Sequence, residues 1–136
     1  MFIQMMMAVQ EEGILSDGWL LLARMHMLER EFNRARGIET TWNAKRDSLG
    51  FSQYSLNDVR NIDNNDWNLI ALSYVSGRDF TDYLSQWGIP YSTTAAAQVT
   101  TLGYPKMPTQ YFKSDSQAYC KGLDKPALSV DGKQTW

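Results

Sequence analysis

Asn65-Asp66-Trp67-Asn68-Leu69-Ile70-Ala71-Leu72-Ser73-Tyr74-Val75-Ser76-Gly77 runs directly into Arg78-Asp79-Phe80-Thr81-Asp82-Tyr83-Leu84-Ser85-Gln86-Trp87-Gly88. This stretch decides the fold class. Its first half predicts a helix opened by Asp66, whose carboxylate can accept from the orphan amides of a first turn. Trp67, Leu69, Ile70, Ala71, Leu72, Tyr74 and Val75 cover most of that helix's surface, and a helix apolar nearly all round is a buried one. Gly77 supplies the left-handed stop. Asp79 caps a second helix, whose inward face is Phe80, Tyr83, Leu84 and Trp87 at three- and four-residue spacing. Gly88 and Pro90 end it. Trp67, Tyr74, Phe80 and Trp87 are therefore the expected structural core.

The same rules extend outward. Upstream, Ser55 with Asp58 three residues on predicts a capping box and a short helix through Leu56, Val59 and Ile62, broken at Asn64-Asn65. Before it, Thr40 or Thr41 caps a helix carrying Trp42 and Leu49 and stopped by Gly50. Leu21, Met25, Leu28, Phe32 and Ala35 form the core stripe of a longer helix, with Ser16 as its cap, Leu15 as a staple against Leu20, and Gly37 as its end. Phe2, Met5, Met6 and Val9 form one face of a first helix that ends at Gly13. It is already under way at residue 1, which reads as a piece of a longer chain.

Downstream, Ser92 caps a helix from Thr93 to Leu102, closed by Gly103. Beyond Tyr104 the prolines at 105, 108 and 126 forbid long helices. Tyr111-Phe112 and Ala127-Leu128-Ser129-Val130 read as short strands, and Asp131-Gly132 as the turn of a small hairpin returning through Lys133 to Trp136. The expectation is a single, mainly α domain: a compact bundle of about five to six helices over residues 1–103, with an extended tail over 104–136.

Composition narrows the function. A chain of 136 residues is long enough for one core that buries roughly two-thirds of the unfolded surface. A net charge of −2 excludes the basic footprint of a nucleic-acid binder. The longest apolar runs, Met5 to Val9 and Trp19 to Ala23, fall far short of the ~20 residues of a membrane span. Met1 to Val9 has neither the positive n-region nor the cleavage site of a signal peptide. Cys120 is the one cysteine, so it stays a free thiol or pairs outside the chain.

Chemistry is sparse. His26, the one histidine, lies beside Glu29 and Glu31, but a zincin helix needs two histidines at i and i+4 with a glutamate between them. His26 and Glu29 offer a weak metal site at most, and the simpler reading sets His26 at the flank of the core stripe. There is no nucleophile elbow, phosphate loop or Cys-x-x-Cys. No catalytic residue is assigned. Tyr91, Tyr104 and Trp136 are the candidates for stacking on a glycan.

Ile14-Leu15-Ser16-Asp17-Gly18-Trp19, Lys45-Arg46-Asp47-Ser48-Leu49-Gly50-Phe51-Ser52, Tyr54-Ser55-Leu56, Asn65-Asp66-Trp67, Trp87-Gly88, Tyr119-Cys120 and Leu128-Ser129-Val130-Asp131-Gly132 carry a resemblance along essentially the whole chain. It resembles the C-terminal domain of enhancin-like, mucin-degrading zinc metallopeptidases, in particular the accessory colonisation factor AcfD and ToxR-activated TagA-type lipoproteins of gamma-proteobacteria. The resemblance implies a secreted or outer-membrane parent with zinc in its own catalytic module. That module and mucin glycoproteins would be the partners. The family's His-Glu-x-x-His helix is missing from this sequence, so no zinc ligand or catalytic residue is carried over. Two roles follow as expectations: a non-catalytic domain that supports the catalytic module or its cleft, or a glycan-binding module built on exposed aromatics.

Overall fold

The computed structural model describes residues 1–112 and 127–129. The architecture is mainly α. Seven α-helices stand among the described residues: α1 Phe2–Glu11, α2 Trp19–Ala35, α3 Glu39–Lys45, α4 Leu56–Arg60, α5 Asn64–Ser76, α6 Thr81–Gln86 and α7 Thr93–Leu102. A 3-10 turn at Asp47–Leu49 follows α3. Each helix read from the sequence has its counterpart here, which makes seven where the bundle was put at about five to six.

Helix α5 is the hub, packed between α7 and α2, and α1 lies against α2. Its middle, Leu69, Ile70, Ala71, Leu72 and Ser73, is buried, as a helix apolar on every side must be. The two buried serines of α5 are satisfied. Ser76 Oγ donates to Leu72 O at 2.6 Å, and Ser73 Oγ accepts from Phe80 N at 3.2 Å. Gly77, at φ 68°, ends the helix in the left-handed conformation.

On the α2 side the core is aromatic. Phe32 meets Phe51 at 4.8 Å between ring centroids and stands edge-on to Trp42 at 5.6 Å. Trp42 is fully buried, and its indole Nε1 donates to Tyr54 O at 2.9 Å, which satisfies the one polar atom of the side chain.

The four expected core residues are placed differently from one another. Phe80 is fully buried, while Trp67 and Tyr74 are half-buried against the core. Trp87 departs from the expectation: it is 39% exposed. It is the residue that caps the C-terminal end of α6, where the chain turns out through Gly88, and only one side of its ring tilts onto Tyr83, 6.4 Å away.

Two backbone approaches fix the α1–α2 pair and the α3–α5 side. A Cβ built on Gly18 would sit 2.3 Å from the carbonyl oxygen of Met6, so α1 and the start of α2 meet backbone to backbone. Gln10 adds a hold there, its Oε1 accepting from Gly18 N at 3.0 Å. Gly50, at φ 85°, faces the ring of Tyr74, whose hydroxyl donates to Ser48 O at 2.6 Å.

Residues 104–112 run along the helices without forming one. Asp79 N donates to Pro105 O and Met107 N donates to Asp79 O, both at 2.8 Å, which makes a parallel bridge and buries Met107. Strand β1, Gln110–Phe112, lies beside α1 and pairs antiparallel with β2, Ala127–Ser129, in the register Gln110↔Ser129, Tyr111↔Leu128, Phe112↔Ala127. The expected hairpin turn at Asp131-Gly132, its returning strand and Cys120 lie outside the described residues. No helix among the described residues is long and apolar enough to cross a membrane.

Candidate functional site

Helices α1, α2 and α5 enclose a groove of about 530 Å³, open to solvent on one side. Phe2 comes from α1; Leu22, Met25, His26 and Glu29 come from α2; Asn64, Trp67 and Asn68 come from α5. The placement follows from helix geometry. Leu22, Met25, His26 and Glu29 recur at three- and four-residue spacing along one side of α2. Asn64 and Asn68 are one turn apart on α5, with Trp67 between them. Asp63 sets the start of that helix by accepting from Asn65 N at 2.7 Å, and so fixes where the two carboxamides face.

The groove's polar groups are few. His26 Nδ1 lies 3.5 Å from Glu29 Oε2, an i,i+3 pair with the imidazole 78% exposed. Two carboxamides complete the set, and the remaining wall is carbon. Trp67 is half-buried and lines the groove, yet its Nε1 is closed off from solvent and finds no hydrogen-bond partner. The indole therefore presents carbon surface to the groove. Among the described residues no hydroxyl or thiol lines this groove.

The metal question has a plain answer for these residues. A catalytic zinc takes three protein ligands and leaves a fourth position open. His26 and Glu29 give two donors, and among the described residues no group of three His, Cys, Asp or Glu converges. This set does not fit such an ion.

The aromatic candidates separate. Tyr91 is half-buried, and its hydroxyl is engaged internally, 2.8 Å from Ser85 Oγ and donating to Thr81 O at 3.0 Å. Tyr104 is half-buried on the segment after α7. Trp136 lies outside the described residues. The structure brings neither Tyr91 nor Tyr104 into the groove. Trp67, counted with the core from sequence, lines it together with Phe2. Asn64 and Asn68, at i and i+4 around that tryptophan, were the available signal. Trp19, 67% exposed, was also missed; with Phe2, Ile3, Leu20 and Met27 it leaves large apolar side chains on the outside of α1 and α2.

A second polar cluster serves the fold. Lys106 Nζ reaches Asp79 Oδ2 at 3.0 Å, Asp82 Oδ1 at 3.2 Å and Thr81 Oγ1 at 2.5 Å. Burial alone would raise the Asp79 pKa, but bonds from Thr81 and Lys106 outweigh it and hold that carboxyl below its usual value. Partial burial opposes the charge on Lys106, yet its two carboxylates raise its pKa overall. The cluster clips the segment after α7 to the start of α6.

No family model matches the chain. Over 104 residues, 73% of this chain and 11% of the relative, it is 26% identical to the immunomodulating metalloprotease of Pseudomonas aeruginosa. Its fold matches the solved IMPa metallopeptidase in complex with T-antigen, with a TM-score of 0.74 and 21% identity over 98% of this chain and 15% of that one. IMPa from Pseudomonas aeruginosa in complex with an O-glycopeptide matches with a TM-score of 0.71 and 21% identity, over 95% and 14% of the two chains. The chain is thus similar, along nearly all its length, to a minor portion of a metallopeptidase.

Proposed function

We propose that this chain is the non-catalytic C-terminal helical domain of a zinc metallopeptidase acting on mucin-type glycoproteins, and that it supports the catalytic module or its cleft. The carrying observation is the match of 98% of this chain to only 15% of a metallopeptidase chain. The donor count at His26 and Glu29 agrees with it, since the zinc would be held by residues of the parent's catalytic module. The apolar side chains left outside on α1 and α2 give that module a surface to pack on. By its sequence resemblance the parent is an AcfD- or TagA-type lipoprotein, placed outside the cell or on the outer-membrane surface.

The test has two arms. The chain alone, dialysed after zinc loading and incubated with an O-glycosylated peptide, is expected to retain no stoichiometric zinc and to leave the peptide intact. Cleavage that a chelator abolishes would overturn the proposal. In the full-length parent, Trp19→Asp is expected to lower protein level and peptidase activity together. Full activity at a normal level would remove the supporting role.

The second reading is a glycan-binding module. What favours it is not Tyr91 or Tyr104 but the groove, where an indole wall is bordered by two carboxamides and an imidazole–carboxylate pair.

A further inference from the structure

We infer that the α1/α2/α5 groove is a binding site for a single neutral saccharide unit, stacked on Trp67 and hydrogen-bonded by Asn64, Asn68, His26 and Glu29. The inference rests on the glycan-binding reading and is independent of the supporting one.

The volume of about 530 Å³ is that of a small-molecule pocket, which runs at about 300–1,000 Å³. Among the described residues its lining has no lysine or arginine, and Glu29 adds a negative charge, so phosphate and carboxylate ligands meet no counter-charge from them. A catalytic zinc finds two of its usual donors, His26 and Glu29, where it takes three. A partner's amphipathic helix wants a continuous apolar trough, whereas here four polar side chains interrupt the wall. What remains is a small neutral molecule with many hydroxyl groups and at least one carbon face.

A pyranose has both features. Each asparagine carboxamide offers a donor and an acceptor side by side, which matches a vicinal pair of hydroxyls. Glu29 accepts, and with Nδ1 of His26 turned to Glu29, the Nε2 atom is left for a ligand. Trp67 supplies the stacking surface because its polar edge is buried and its carbon surface lines the groove. Leu22, Met25 and Phe2 close the site with carbon. The Asn64–Asn68 spacing is four residues, about 6 Å of rise, so the two amides can reach different hydroxyls of one ring.

The experiment is a titration of the 136-residue chain, observed through its assigned side-chain amide and indole N–H signals in 1H–15N spectra. The probes are glucose, galactose, N-acetylglucosamine and N-acetylgalactosamine, with N-acetylneuraminic acid as the anionic arm. At least one neutral sugar is expected to give saturable shifts at Asn64, Asn68 and Trp67, while the indoles of Trp19 and Trp87 stay still. Asn64→Ala and Asn68→Ala are each expected to weaken binding by about fivefold, one hydrogen bond's worth, with an unchanged melting temperature. No saturation by any neutral sugar overturns the site. So do saturable shifts confined to other residues, unchanged affinity in the double alanine variant, or equal affinity for the anionic sugar. None of these outcomes bears on the zinc and Trp19→Asp measurements, so the two readings fail separately.

Discussion

Asp66, in the first turn of α5, holds Ser92, the residue that starts α7. Its Oδ1 accepts from Ser92 N at 2.7 Å and its Oδ2 from Ser92 Oγ at 2.5 Å, while Ser92 Oγ accepts in turn from Ala95 N at 3.1 Å. A carboxylate on one helix thus orients the cap of another. Removing it leaves a cap with a free rotor and an unpaired backbone amide. Asp66→Ala is expected to cost about 1–3 kcal/mol, and Ser92→Ala about 1 kcal/mol. The double variant should cost less than their sum, because both changes break one linked set of bonds. Urea melts of the four proteins measure it, and strict additivity would contradict the linkage.

Gly50→Ala is expected to destabilise for two reasons at once. The backbone at φ 85° is a left-handed conformation that alanine adopts only with strain, and a Cβ there would lie 2.7 Å from two ring atoms of Tyr74. Together these should cost about 2–3 kcal/mol or more. Tyr74→Ala in the same background removes the two ring contacts and leaves the backbone strain, so partial rescue, measured relative to Tyr74→Ala alone, separates the ring clash from the rest.

The tryptophans should rank by burial. Trp42→Ala removes a fully buried indole and orphans the Tyr54 carbonyl, and an expected loss of about 3–5 kcal/mol follows. Trp87→Ala, at a helix end and 39% exposed, is expected to cost about 1 kcal/mol or less. Melting temperatures of the two variants check the order. Equal losses would mean that Trp87 carries contacts its placement does not provide.

The Lys106 cluster predicts a dependence on pH with two limbs. Asp79 has a lowered pKa in the fold, so the stability it contributes is present above the unfolded aspartate value of about 3.9 and is lost as pH falls through the folded value. Lys106 has a raised pKa, so its contribution is present below the unfolded lysine value of about 10.4 and is lost as pH rises through the folded value. Denaturant melts from pH 2 to 12 should show a steeper acid limb in the native chain than in Asp79→Asn. Lys106→Met should flatten the alkaline limb. A variant profile parallel to the native one at both ends would remove the cluster from the account of stability.

Local signals in the sequence carried over well where the structure is local. Ser55 and Asp58 do form a capping box, Ser92 does start α7, and Gly77 and Gly103 do end their helices in the left-handed region. Asp66 shows where local reading fails. It has the chemistry of an N-cap, but Asp63 takes that place and the helix begins at Asn64, in the Asn-Asn pair that reads as a breaker. The carboxylate of Asp66 is then spent on a residue 26 positions away, which no helix rule can see. Ser16 likewise has cap chemistry, yet α2 starts at Trp19, whose N donates to Asp17 Oδ1 at 2.9 Å. The groove was invisible for the same reason. Its eight lining residues come from three helices, and Trp67 reads as plain core until α2 is set beside it.

The meeting of Gly18 with Met6 also acts at a distance. Helix α1 is a rigid rod of 10 residues, about 15 Å long, pinned near its C-terminal half by that backbone approach and by Gln10. Phe2, at the opposite end of the rod, is a wall of the groove. The pair therefore works as a pivot with a lever arm. A single methyl group at position 18 would push the rod off its seat, and the displacement would be read out at Phe2 as a change in groove width. The width of this groove thus depends on a residue that is not among its lining.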